Sequence, residues 1–170
     1  MSISLLPKLL APSLTHINQS LLRQRGIRLL MLDFDNTIVP YTTDTPTKEI
    51  QAWLEEMNRS DISVCVVSNS KRDRVRKFCA ARNIDCITHA KKPFPKGIRQ
   101  CLRRYGVAAS QAALVGDQIY TDTLGANGCG VTSILVPAIC NHNIWLKARH
   151  VLELPFIAMA RKRRIEDEES

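Results

Sequence analysis

No stretch of this 170-residue chain carries the roughly 20 consecutive apolar residues that a membrane-spanning helix needs, which excludes an integral membrane protein as a reading. Its six cysteines (Cys65, Cys79, Cys86, Cys101, Cys129 and Cys140) include no Cys-x-x-Cys pair. That scatter argues against a zinc site, and four of the six fall inside apolar patterns, as reduced core thiols of a cytosol-facing protein do. Acids are missing from residues 1–26, which contain Lys8, Arg23 and Arg25 and so weakly resemble a targeting segment. Pro7 and Pro12 interrupt the apolar pieces Leu5-Leu6 and Leu9-Leu10, so no signal-peptide core forms there. Internal repeats are absent as well.

What the chain does have is enough apolar content, 45%, for one full core, and a net charge of +8 with a pI near 9.4. Such a balance favours anionic partners: nucleic acid, phosphorylated metabolites or an acidic membrane surface. Charge alone does not choose among them. The leading apolar set, Ile3, Leu5, Leu6, Leu9, Leu10, Leu14, Ile17, Leu21 and Leu22, either packs across the domain or rests on a membrane interface.

Periodicity divides the rest into alternating strands and helices. Ile27 to Leu32 reads as a strand buried on both faces. Thr45-Pro46 reads as an N-cap with proline at the first helical position, followed by Ile50, Trp53, Leu54 and Met57 on one helical face. Strands follow at 62–67, 84–88, 112–115 and 131–136, with helices at about 71–82, 95–105 and 121–128 between them. The second of these helices turns Ile98, Cys101, Leu102 and Tyr105 inward, while the first shows Lys71, Arg72, Arg74, Arg76, Lys77 and Arg82 to solvent. Strands and helices alternating at this spacing form βαβ units in a parallel sheet of about five strands with helices on both faces, a three-layer Rossmannoid α/β fold. Residues 1–26 form a leading segment and 27–150 the domain. Ile144, Trp145, Ala148, Val151 and Leu152 can line a last helix, and 151–170 reads as a tail, basic then acidic.

Polar residues of specific kinds stand at the strand ends: Asp33 and Asp35, then Ser68 and Asn69, then Lys92, then Asp117 with Asp122. The carboxyl ends of parallel strands lie side by side, so these residues converge on one crevice. Asp33 and Asp35, two apart on an extended segment, face one cavity, and two anions that close need either a cation or a shared proton. Their spacing fits a metal site or an acid/base pair.

In order, Asp33-Phe34-Asp35-Asn36-Thr37, Ser68, Lys92-Pro93 and Asp117 with Asp122 resemble the four motifs of the haloacid dehalogenase (HAD) superfamily of phosphotransferases. About 30 residues separate Thr37 from Ser68 and about 23 separate Ser68 from Lys92, leaving no room for a cap domain. Together with Leu6-Pro7-Lys8-Leu9, Arg25-Gly26-Ile27, Val67-Ser68-Asn69-Ser70 and Ala90-Lys91-Lys92-Pro93, the motifs look most like the capless IIIA branch that includes phosphatidylglycerophosphate phosphatases. The resemblance spans roughly residues 4–136.

It implies a Mg²⁺-dependent phosphomonoesterase with Asp33 as nucleophile, Asp35 as general acid and base, and Asp33, Asp35, Asp117 and Asp122 around the metal. Asp35 would contribute its carbonyl, and Asp122 would bind directly or through water. Lys92 is preferred over Lys91 and Lys96 because it alone stands directly before proline. Ser68, Asn69, Asn36 and Lys92 would bind the phosphate, with backbone amides near Asp35-Asn36 among the donors. The implied partner is a phosphorylated lipid headgroup at an anionic membrane surface, met peripherally from the cytoplasm or an organelle interior, with no nucleic acid expected. A phosphatase of a nucleotide, sugar phosphate or phosphoprotein is one rival reading. A non-catalytic phosphate or nucleic-acid binding module is the other.

Overall fold

The computed structural model describes residues 4–71, 73–139, 144–161 and 165, and residues 144–151 by their backbone alone. Six strands form one sheet: β1 (Leu9–Leu10), β2 (Leu29–Leu32), β3 (Ser63–Val67), β4 (Asp85–Ile87), β5 (Ala112–Gly116) and β6 (Thr132–Leu135). Their order is β1-β6-β5-β2-β3-β4, and every pairing is parallel. All four residues of β2 are buried, as its uninterrupted apolar run requires at the middle of a covered sheet. From β2 the chain moves outward through β3 to β4, then returns to lay β5 against the other side of β2. This reversal opens the crevice in which doubly wound sheets bind ligands.

Side-chain alternation sends Leu30, Leu32, Val64, Val66, Ala113 and Val115 to one core and Leu29, Met31, Cys65, Val67, Ala112 and Leu114 to the other. Helices α1 (Gln19–Gln24), α2 (Lys48–Asn58), α3 (Asp73–Ala80), α4 (Lys96–Tyr105) and α5 (Leu124–Gly128) surround the strands. The α2 N-cap is Thr47, which accepts a hydrogen bond from the Ile50 N–H at 3.3 Å, not Thr45 two residues earlier. The Thr45 carbonyl is engaged by the Thr43 hydroxyl in a local turn instead. Residues 38–67 hold only a turn, α2 and β3, so nothing covers the crevice there.

The sixth strand, β1, comes from the leading segment and was too short to show a period. Lys8 N–H donates to Ser133 Oγ, and Asn127 Nδ2 donates to the carbonyls of Ser4 and Leu6, clamping this segment beside β6. The Trp53 indole donates to the Ile17 carbonyl at 2.7 Å. Leu9, Leu14, Ile17 and Leu22 are buried by this packing, which turns them away from any lipid surface. A last helix, α6 (Ile144–Ala160), runs past residue 151, where the expected tail begins. Its expected inward residues 144–151 lie outside the described side chains, and Leu152 is exposed. Buried Glu153 gives the helix its reason to continue, because it accepts the Ile119 N–H. Arg161 and Ile165 are the described part of the basic and acidic tail; the Ile165 N–H donates to the Leu10 carbonyl at 2.7 Å. Among the described residues no helix is long and apolar enough to cross a membrane.

Candidate active site

The crevice at the ends of β2 and β5 holds a compact group of charges. Lys92 is 1% exposed at its side chain, and its Nζ lies 2.7 Å from both Asp33 Oδ1 and Asp122 Oδ1. Asp33, Asp117 and Asp122 are all buried, with one carboxylate oxygen of each within 4.8 Å of the others. Thr37 Oγ1 stands 3.4 Å from Asp33 Oδ2 and 3.3 Å from Asp117 Oδ1, and its single proton serves one of them at a time. The acids are held by backbone they do not control. Asp33 N–H continues the ladder to the Val115 carbonyl at 2.9 Å, while Asp117 directly follows the last residue of β5.

Asp122 reaches the group through a π-helical turn, Ile119–Thr123, which follows β5 and leads into α5. The Gln118 N–H donates to Asp122 Oδ2 at 3.2 Å and fixes the carboxylate from behind. Gly116 makes this approach possible, since a Cβ there would overlap the Asp122 carboxylate. Lys92 is positioned from β3: Asn69 Nδ2 donates to the Lys92 carbonyl at 2.9 Å, and Lys92 N–H donates to Asn69 Oδ1 at 2.7 Å. This two-way clasp points Lys92 inward, whereas Lys91 and Lys96 are exposed. Ser68 is buried at the end of β3, its Oγ accepting the Ser70 N–H at 3.0 Å.

Two expected contacts take a different form. Asn36 adopts a left-handed conformation, φ 60°, and its N–H donates to the Val39 carbonyl at 2.7 Å. That backbone donor closes the turn and is not free for phosphate. The Asn36 side-chain amide is buried with no partner among the described residues, a state that water or ligand normally relieves. Asp35 sits nearer the rim, its Oδ1 3.4 Å from Arg74 Nη1.

Arg74 does not join the solvated basic face expected for α3. Its guanidinium lies over the Phe34 ring at 5.1 Å, donates to the carbonyls of Pro40, Tyr41 and Thr43, and pairs with Asp44 at 2.8 Å. Helical spacing showed only a basic run, and nothing in the sequence distinguished Arg74 within it. Glu153 was likewise invisible, because its partner lies 34 residues away.

Electrostatics define what this group can accept. With all four groups ionised, three carboxylates against one ammonium give a formal charge of −2. Burial alone would pull the Lys92 ammonium down, but the carboxylates of Asp122 and Asp33 override it and hold it above the ordinary lysine range. Asp122 is pushed up from 3.8 to about 7, chiefly by burial and then by the charge of Asp33, against the opposing pull of Lys92. Hard oxygen donors with that surplus charge suit a hard divalent cation, which Asp33, Asp117 and Asp122 can hold.

The family model described as mitochondrial PGP phosphatase matches residues 2–139. A Bacillus subtilis (strain 168) protein described as probable phosphatase YqeG is 31% identical over 166 residues, 96% of each chain. The chloroplastic phosphatidylglycerophosphate phosphatase 1 of Chlamydomonas reinhardtii is 26% identical over 140 residues, 77% of this chain and 52% of that one. Among solved structures, the cobalt-bound deoxy-D-mannose-octulosonate 8-phosphate phosphatase of Haemophilus influenzae shares the fold, with a TM-score of 0.53 at 15% identity over 74% of this chain and 75% of that one.

Proposed function

The chain belongs to the mitochondrial PGP phosphatase family, and on that premise we propose that it is a HAD-type, subfamily IIIA phosphatase that hydrolyses the terminal phosphate of phosphatidylglycerophosphate to give phosphatidylglycerol. The observation that carries the reading is the Lys92–Asp33 pair at 2.7 Å, set beside Asp117 and Asp122 in a crevice over which residues 38–67 insert no cap domain. An uncovered site suits a phosphate borne by something too large to be enclosed, and a bilayer is such a carrier.

In this reading Asp33 attacks phosphorus through a carboxylate oxygen while the bond from phosphorus to the glycerol oxygen breaks. Asp35, at the rim beside Arg74, gives its proton to the departing alkoxide. Asp35 then takes a proton from water as the water oxygen attacks the aspartyl-phosphate. Inorganic phosphate leaves, and the Asp33 carboxylate is restored. Lys92 neutralises Asp33 before the attack and meets the phosphate oxygens afterwards. Ser68 and the backbone near Asn69 donate to the transferring group, while the Asn69 side chain keeps Lys92 in place. Mg²⁺ is the cation proposed for Asp33, Asp117 and Asp122, with Asp35 joining through its carbonyl; when bound it supplies the positive charge that lets a carboxylate approach an anionic phosphate.

Phosphate release from phosphatidylglycerophosphate in mixed micelles tests the reading, with Mg²⁺ and with EDTA, for the wild type and Asp33→Asn. Release by the wild type with Mg²⁺ alone, and by neither control, is expected. A preference for nucleotide or sugar phosphates over the lipid in the same assay would overturn the substrate.

A further inference from the structure

The crevice does not end at the acids. Along the carboxyl ends of β1 and β6 it continues into a cavity of about 360 Å³, walled by Leu10, Pro12, Val136 and Ile157, with Asp117 in its lining and Arg161 as its cation. The volume falls in the range of small-molecule sites. Its chemistry is unlike that of a sugar or nucleotide subsite, because the strand-end walls are apolar and offer such a ligand few hydrogen-bond partners. A second hollow of about 290 Å³ shares Pro12, Val136 and Ala138 with the first and reaches Thr37. Apolar surface therefore approaches the charged group from both sides of residues 136–138, mixed in the second hollow with Ser13, Thr15, Thr47 and Glu49.

We propose that this groove receives the glycerol-proximal acyl chain of a lipid phosphomonoester while the phosphate of the same molecule lies at Asp33; the proposal rests on the lipid phosphatase reading above. Continuity is the first argument, since Asp117 belongs to both the acidic group and the groove. The second is the α6 wall. Ile157 faces the groove, whereas Leu152, Leu154 and Met159 of the same helix are exposed, an apolar set on a chain of net charge +8. A helix with apolar residues on both the groove and the outer side can meet a bilayer and pass a chain inward. Charge is the third, because Arg161 adds a cation to the groove lining, and the phosphodiester between the glycerols of such a lipid is an anion. The N-terminal segment takes the first of the two parts its leucines allow: packed across the domain through Leu9, Leu14, Ile17 and Leu22, it builds β1, whose end lines the groove.

The test compares kcat/KM on phosphatidylglycerophosphate in mixed micelles with kcat/KM on its water-soluble deacylated counterpart, both with Mg²⁺. Ile157→Trp fills the groove, Ile157→Asn makes it polar without filling it, and Arg161→Glu reverses its charge. The two Ile157 variants are each expected to lower the lipid-to-deacylated ratio at least tenfold, whereas Arg161→Glu is expected to lower kcat/KM on both substrates, because the deacylated one keeps the phosphodiester. An unmoved ratio in the two Ile157 variants, whether both activities persist or fall together, overturns the groove. Wild-type enzyme that hydrolyses soluble phosphates but neither glycerol substrate overturns the underlying reading and the groove with it.

Discussion

The middle of the sheet and its β1 edge solve opposite problems with the same kind of strand end. At β2 and β5, Lys92 and three acids are buried together, and every side chain is held by backbone bonds or a second residue. At β1 and β6 the strand ends are apolar, the charged residues of the lining among those described are Asp117 and Arg161, and the wall comes from α6. Chemistry belongs where the sheet is covered on both faces, because low dielectric strengthens each charge and fixed neighbours remove reorganisation. Recognition of a bulky substrate belongs at an edge, where one wall is a helix added late in the chain.

Removing the central cation should expose that contrast most. Lys92→Met leaves Asp33 and Asp122 buried without their shared partner, so it is expected to abolish turnover on every phosphate ester and to destabilise the metal-free protein by about 3 kcal/mol. Denaturant unfolding with and without Mg²⁺ checks this. A loss confined to lipid substrates would contradict the division between centre and edge.

Arg74, on α3 after β3, flanks the centre on the side away from β1. Because it braces Asp35 and the 40–44 turn, Arg74→Met is expected to slow hydrolysis of alkyl phosphates about tenfold while p-nitrophenyl phosphate, whose leaving group needs no proton, changes much less. Equal losses on both would reduce Arg74 to a structural brace.

The pH dependence of metal binding sharpens the view of the centre. Asp122 titrates near 7 in the metal-free protein against 3.8 unfolded, so the folded state holds a proton that the unfolded state releases. This group therefore contributes stability below about 4 that is lost as pH rises through about 7. The same proton competes with a cation, and Mg²⁺ affinity should fall about fivefold from pH 7 to pH 6. Calorimetric titration across that range reads it, and Asp122→Asn should flatten the dependence.

The smallest effect is expected at the edge. Glu153→Ala leaves the Ile119 N–H without its acceptor, at about 1–2 kcal/mol or a few degrees in Tm, whereas Glu153→Gln keeps an acceptor and should cost less. A large loss of turnover in Glu153→Gln would show that α6 controls the acids and not only the groove.

Much of the centre was legible before the fold was known. Asp33, Ser68, Lys92 and Asp117 each stand at or just beyond the end of an apolar run, and parallel strands bring such ends together. Strand β2 could be read because four consecutive buried residues leave a continuous apolar signature. Strand β1 could not, because two leucines between prolines carry no period. The inward turn of Arg74 escaped the helical pattern, which reports which face a residue occupies and not that a long side chain bends over Phe34 to reach Asp35. Reading Thr45 as the α2 cap erred by two residues, since Thr45 and Thr47 are equivalent locally and the turn at 43–45 decides between them.

By itself, the sequence determined a parallel α/β sheet and the kinds of charge that meet at its centre. Both follow from local periodicity and from side chains placed where strands stop. Tertiary structure alone decided that Lys92 bridges Asp33 and Asp122, that Gly116 makes way for the Asp122 carboxylate, and that an N-terminal strand and a C-terminal helix wall an apolar groove beside Asp117. Those contacts join residues that no periodicity relates, and only the packing of the whole chain brings them within reach of one another.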